Sequence, residues 1–213
     1  TTADSVNVTV NKPADFDVDI SNSRSDRTIL PGDPLRLTVN IENIGDVAGE
    51  QAIVAAVAGR EQAPTVTVDA NSSESVALNF TGTDTDTIEP GDYVVTVTSE
   101  GSRDTLNVSV RKPPTIEIDA VEPVRNNIVA GDTIVLNATI TNTGEVTAEQ
   151  EIALQLGAAD SVVDTTNVKI GAANTSTVQL VYNTTTNDIG GLNFTIVSEN
   201  DESTVSVNVL EQA

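Results

Sequence analysis

The tripeptide Asn-x-Ser/Thr, the acceptor for N-linked sugar, occurs eight times in this chain: at Asn7, Asn71, Asn79, Asn107, Asn137, Asn174, Asn183 and Asn193. Modification requires exposure. Asn7, Asn79, Asn107, Asn137 and Asn193 each sit between two apolar residues that alternate with them, so in a strand they point outward. Asn71, Asn174 and Asn183 fall at turns or strand ends. A chain this rich in Asn, Ser and Thr also forms such tripeptides by chance. A second constellation is Asp84, Asp86 and Glu89, in a loop three residues longer than its counterpart later in the chain. Converging carboxylates suit a hard cation, and calcium is the candidate ion. Asp15, Asp17 and Asp19 alternate along the outer face of a first strand. No EF-hand spacing is present, and with 32 acidic residues the plainer reading is a solvated face.

Other chemistry is excluded by composition. With no His and no Cys there is no imidazole base, no thiol nucleophile and no usual zinc site. Paired carboxylates arise by chance here, and aromatics are 2% of the chain, too few to line a sugar subsite. The chain is therefore expected not to be an enzyme and to need no cofactor. Thirty-two acids against 10 bases give a net charge of -22, which repels nucleic acid and anionic membranes. No apolar run is long enough to span a bilayer, so direct membrane insertion of this segment is not expected.

The elements that would carry these residues alternate with a period of two. Leu35, Leu37, Val39 and Ile41 share one face, as do Ile134, Leu136, Ala138 and Ile140. The same pattern pairs Phe16, Val18 and Ile20 with Ile116, Ile118 and Ala120. It pairs Ile53, Ala55 and Val57 with Ile152, Leu154 and Leu156. Val66 and Val68 answer to Val168 and Ile170, and Val76, Leu78 and Phe80 to Val178, Leu180 and Tyr182. Tyr93, Val95 and Val97 match Leu192, Phe194 and Ile196. Leu106, Val108 and Val110 match Val205, Val207 and Val209. The pattern predicts seven strands per copy, in two copies. The spacing recurs at 99 residues: Gly32-Asp33 returns as Gly131-Asp132, Asn43-Ile44-Gly45 as Asn142-Thr143-Gly144, and Gln51 as Gln150. A repeat of this length is a whole domain. The expected fold is all-β, two tandem immunoglobulin-like seven-stranded sandwiches of the fibronectin-III type, over residues 12–111 and 112–213. Residues 4–13 match residues 104–113, so residues 1–11 read as the last strand of a preceding repeat. Lys112-Pro113-Pro114 marks a short, stiff boundary.

Each copy resembles the CARDB domain, a cell-adhesion-related sandwich, and the related S-layer-like repeats of archaeal surface proteins. The resemblance rests on the Gly-Asp turns, on Val39 to Gly45 with Ala138 to Gly144, and on the turn from Pro90 to Tyr93. The second copy departs there, with Ile189-Gly190-Gly191-Leu192. It implies extracellular display in tandem, with no catalytic set. Abundant acids, only three lysines and few aromatics also resemble the proteins of extreme halophiles. The expectation is a structural segment of a glycosylated haloarchaeal surface protein, either an S-layer lattice element or a stalk spacer. Its partners would be other copies of itself or other surface proteins. An adhesion module of a spike or pilus, and accessory domains of a secreted enzyme, are the alternatives.

Overall fold

The computed structural model describes residues 4–157 and 161–212. The chain divides into two compact units between Arg111 and Lys112. The first contains β1 (Phe16–Ile20), β2 (Thr28–Ile29), β3 (Leu35–Asn43), β4 (Gly49–Ala52), β5 (Val54–Val57), β6 (Arg60–Gln62), β7 (Thr65–Val68), β8 (Ser72–Phe80), the one-turn helix α1 (Gly82–Thr85), β9 (Gly91–Thr98) and β10 (Arg103–Val110). The second contains β11 (Ile116–Pro123), β12 (Asn127–Val129), β13 (Thr133–Asn142), β14 (Ala148–Leu156), β15 (Ser161–Ile170), β16 (Thr175–Asn183), β17 (Gly190–Val197) and β18 (Glu202–Leu210), with a 3-10 turn at Thr186–Asp188.

Each unit is an immunoglobulin-like β-sandwich. In the first, the sheet β1-β3-β8 packs on β2-β10-β9-β5-β6, and β4 pairs with β7. In the second, β11-β13-β16 packs on β12-β18-β17-β14-β15. The first strand changes sheets in both units. β1 runs antiparallel to β3, while the short β2 runs parallel to β10; β11 and β12 do the same with β13 and β18. The predicted alternation is the cause of the sandwich. Leu35, Leu37, Val39 and Ile41 lie fully inside, as do Ile134, Leu136, Ala138 and Ile140, and the residues between them face outward. Each such Leu or Ile contributes about 2 kcal/mol by leaving water.

β1 and β11 are edge strands, and their outer amides are not left bare. Val18 N–H donates to Ser102 Oγ at 3.3 Å and Ile20 N–H to Asp104 Oδ2 at 2.7 Å. Ile116 N–H donates to Asn200 Oδ1 at 3.0 Å and Ile118 N–H to Asp201 Oδ2 at 2.8 Å. Side chains of the neighbouring hairpin thus replace a missing strand and blunt the edge.

Two details differ from the sequence reading. The strands exceed seven per unit, because β2 and β12 are added and because Pro64 divides the first unit's central hairpin. Ile53 N–H donates to Pro64 O at 2.9 Å, but proline has no N–H to return, and the ladder breaks into β4–β7 and β5–β6. Ala120 is exposed rather than buried: a bulge between Ile118 and Ala120 adds one residue to β11 and turns Val121 toward the core instead. Residues 4–11 form no strand among the described residues, and Val6, Val8 and Val10 are 84%, 79% and 88% exposed.

Candidate functional site

The repeated polar residues are drawn into the fold. Asn43 and Asn142 are wholly buried. Asn43 Oδ1 accepts from Gly45 N–H at 3.0 Å and Asp15 N–H at 3.2 Å, and its amide donates to Val47 O at 2.8 Å and Val68 O at 3.1 Å. Asn142 Oδ1 accepts from Gly144 N–H at 3.0 Å and Thr115 N–H at 3.3 Å. Its amide donates to Val146 O at 2.8 Å and Ile170 O at 3.0 Å. One side chain ties together three backbone segments in each unit through these four bonds, with donors and acceptors all used. The adjacent glycine is required by contact. A Cβ on Gly45 would lie 2.1 Å from Pro13 O, and one on Gly144 2.2 Å from Pro113 O.

That proline enters as part of a clamp. Lys12 N–H donates to Asp46 Oδ2 at 2.8 Å, while Asp46 N–H donates to Lys12 O at 3.0 Å. Lys112 N–H donates to Glu145 Oε2 at 2.9 Å, and Glu145 N–H to Lys112 O at 3.0 Å. Arg111, one residue earlier, donates its N–H to Ile29 O of the first unit. At the other end, the Gly-Asp turns are held by buried threonines. Thr85 Oγ1 donates to Asp33 O and Thr184 Oγ1 to Asp132 O, each at 2.6 Å. These threonines are also 99 residues apart, a signal in the sequence that alternation does not reveal.

The candidate cation ligands Asp84, Asp86 and Glu89 do not converge. No group of three acidic side chains suited to a metal occurs among the described residues. Asp84 is turned onto its own helix start, where Oδ2 accepts from Thr81 N–H at 2.7 Å and Thr81 Oγ1 at 2.8 Å. The hydroxyl first, then the amide, hold its carboxyl below the ordinary carboxylate value. Asp188 takes the same bonds from Thr185, whose hydroxyl likewise lowers it, and also accepts from Tyr182 Oη at 3.2 Å. Burial, then the Asp188 charge, push Tyr182 above the ordinary phenol value. Asp15 pairs with Lys12 at 2.9 Å, and Asp17 accepts from Ser102 and Val18 N–H.

The sequence-selected asparagines separate by surroundings. Asn71 and Asn174 are exposed at the turns entering β8 and β16, and Asn7 is exposed before the first sandwich. Asn79, Asn107 and Asn193 are exposed within or at the end of strands. Asn137 is half-buried in the central strand β13 and accepts from Gln179 at 3.2 Å. Asn183 accepts from Thr133 Oγ1 at 2.7 Å and Asn193 from Ser206 Oγ at 2.6 Å.

Concavities are shallow. One of about 310 Å³ is lined by Lys12, Asp15, Gln51 and Glu100; a second, of about 270 Å³, by Arg125, Ile128 and Asp132. Within the first, Gln51 Oε1 is buried with no hydrogen-bond partner among the described residues, whereas the equivalent Gln150 Oε1 accepts from Glu199 N–H at 2.8 Å. No helix among the described residues is long and apolar enough to cross a membrane.

No family model and no curated protein matches the chain. Among solved structures it is similar to a β-glucosidase from Listeria innocua, at 23% identity and a TM-score of 0.39, over 46% of this chain and 16% of that one. It is similar to red sea bream transglutaminase, at 13% identity and a TM-score of 0.36, over 97% of this chain and 32% of that one. A CARDB domain from Pyrococcus furiosus, solved in complex with di-metal ions, matches at 12% identity and a TM-score of 0.37, over 48% of this chain and 96% of that one. The chain thus spans about a sixth of the β-glucosidase and about a third of the transglutaminase.

Proposed function

We propose that this chain is a structural segment of an extracellular, glycosylated surface protein of a halophilic archaeon, a CARDB-like spacer or lattice element rather than an enzyme. The observation that carries the reading is the fate of the repeated polar residues. Asn43, Gly45, Asp46 and Thr85, with their partners Asn142, Gly144, Glu145 and Thr184, are used to build each sandwich and its point of entry. What is duplicated is a building unit, and a building unit suits reach and spacing. In this reading residues 4–10 close a preceding sandwich as residues 104–110 close the first.

The surface chemistry supports the same assignment. Each unit carries a net charge of -11, from 18 acids and 7 bases in residues 1–111 and 14 acids and 3 bases in residues 112–213. Two ion pairs, Lys12–Asp15 and Lys169–Glu149, form among the described residues. Most carboxylates are therefore left to water, which suits a medium rich in salt. The test is antibody labelling of intact source cells against this segment. Labelling of intact cells is expected; label that appears only after lysis overturns the reading.

A further inference from the structure

We infer that the folded chain accepts N-linked sugar at two equivalent turns, at Asn71 before β8 and at Asn174 before β16, while the acceptor tripeptides inside its strands are closed. This deepens the reading of the chain as a glycosylated protein and rests on it for the biological setting. The site assignment itself is a property of the fold.

The first argument is backbone availability. A modifying enzyme must take the tripeptide into a cleft, and a segment hydrogen-bonded on both sides must first open. Asn137 lies in β13 between β11 and β16; Asn193 pairs with Ser206 of β18, and Phe194 and Thr195 of its tripeptide pair with both β18 and β14. Asn107 lies in β10, where its tripeptide pairs with β9 and, at Ser109, also with β2. Asn71 and Asn174 precede their strands, and the rest of each tripeptide lies on an edge strand paired on one side only, Ser72 and Ser73 with β3 and Thr175 and Ser176 with β13.

The second argument is the hydroxyl that completes each tripeptide. Thr81 Oγ1, for Asn79, donates to Asp84 at 2.8 Å, and Ser109 Oγ, for Asn107, donates to Asp92 at 2.5 Å. Thr185 Oγ1, for Asn183, is held by Asp188 at 2.8 Å. Ser73 and Ser176, for Asn71 and Asn174, are exposed and make no side-chain hydrogen bond among the described residues.

The third argument is the correspondence of the two turns. Asn71 and Ala173 are the structural equivalents: both have positive φ, 50° and 53°, and both donate N–H across 3.2 Å, to Gly45 O and Gly144 O. The acceptor asparagine therefore sits one residue later in the second unit. The tripeptides are not aligned residue for residue, yet both units present one on the same turn.

The co-reactant is a lipid-linked sugar phosphate. The C1–O bond to phosphate breaks, a bond forms between C1 and the asparagine Nδ2, and the amide proton and the lipid phosphate leave. The experiment uses an oligosaccharyltransferase chosen because it modifies all eight sites in peptides cut from the chain. Folded chain and urea-unfolded chain are exposed to it, and occupancy is read by peptide mass spectrometry. In the folded chain Asn71 and Asn174 fill, while Asn79, Asn107, Asn137, Asn183 and Asn193 fill at least about tenfold less than in the unfolded chain. Asn71→Gln and Asn174→Gln each remove one glycan from the folded product. Strand sites that fill as fast as the turns, or turns that stay empty until the chain unfolds, overturn the inference. Asn7 separates this inference from the tandem-array reading. It fills in the present chain and is closed in a longer chain if residues 4–10 complete a sandwich there; if it stays open in the longer chain, the array reading fails and the assignment of Asn71 and Asn174 stands.

Discussion

Asn43 and Asn142 make the same four kinds of bond in the two sandwiches, whereas Gln51 and Gln150, eight residues further on in each, do not. The difference lies in what a loss leaves behind. Without the buried asparagine, two backbone amides and two backbone carbonyls face a closed interior. Without the glutamine contact, one side-chain oxygen lacks a partner beside an open concavity. The two units keep the first arrangement and diverge in the second, which places the structural constraint at the point where the chain enters each sandwich.

The largest effect is therefore expected from Asn43→Ala and Asn142→Ala. Each orphans four backbone groups, and even with partial access of water the cost is about 3 to 5 kcal/mol to its own unit. Denaturant unfolding of the two variants checks this: the affected unit unfolds early and the other keeps its transition. A marked inequality between the two variants would break the equivalence of the sites.

Next in size is salt. Both units carry -11, so both should gain from screening, and by similar amounts. The Debye length shortens to about 3 Å by roughly 1 M salt, and repulsion within each compact unit falls accordingly. Thermal melts of the Asn43→Ala and Asn142→Ala chains, each of which separates one unit's transition from the other, should show both midpoints rising from low salt into the molar range. A flat midpoint for both removes the halophilic reading. A rise in one alone shows that charge placement, not net charge, governs the response.

A smaller effect separates the two loops at Asp84 and Asp188. Each carboxyl is held below its ordinary value by a threonine hydroxyl, so each contributes stability that is present above the unfolded pKa and lost as pH falls through the folded one. Tyr182, raised by burial and by Asp188, contributes stability present below the unfolded phenol value and lost as pH rises through the folded one. Asp84→Asn should flatten only the acid limb of the stability–pH curve. Asp188→Asn should flatten the acid limb and weaken the alkaline one. Equal alkaline limbs in the two variants would show that the Tyr182–Asp188 bond carries no weight.

The comparison also explains what could be read before the fold was known. Alternation marked β3, β8, β13 and β16 because three or four apolar residues recur on one face of each. The 99-residue spacing marked the boundary. β2 and β12, of two and three residues, are too short to alternate. The bulge in β11 was hidden because Ala120 is apolar and fits the two-residue period that the inserted residue breaks. Asn43 was legible only as a repeated residue, since a buried asparagine with full bonding has the same sequence signature as an exposed one. For Asp84, Asp86 and Glu89 the sequence left a solvated face as the plainer reading beside calcium, and only local geometry shows Asp84 bonded to its own helix start.

The smallest expected effect tests the break in the first unit's hairpin. Residue 64 faces Ile53 as a hydrogen-bonded pair, with Ile53 N–H donating to Pro64 O. The equivalent position in β15, opposite Ile152, is Thr166. Pro64→Thr supplies the missing N–H, which would meet Ile53 O and join β4–β7 to β5–β6 as in the second unit. The new hydrogen bond adds about 1 kcal/mol. Losing proline frees the unfolded chain and removes about 0.4 to 1 kcal/mol. The two nearly cancel, so stability should change by less than about 1 kcal/mol while the new amide at residue 64 becomes protected from hydrogen exchange. Protection without stabilisation is the expected signature. An unprotected amide at that position would mean that something other than proline divides the hairpin.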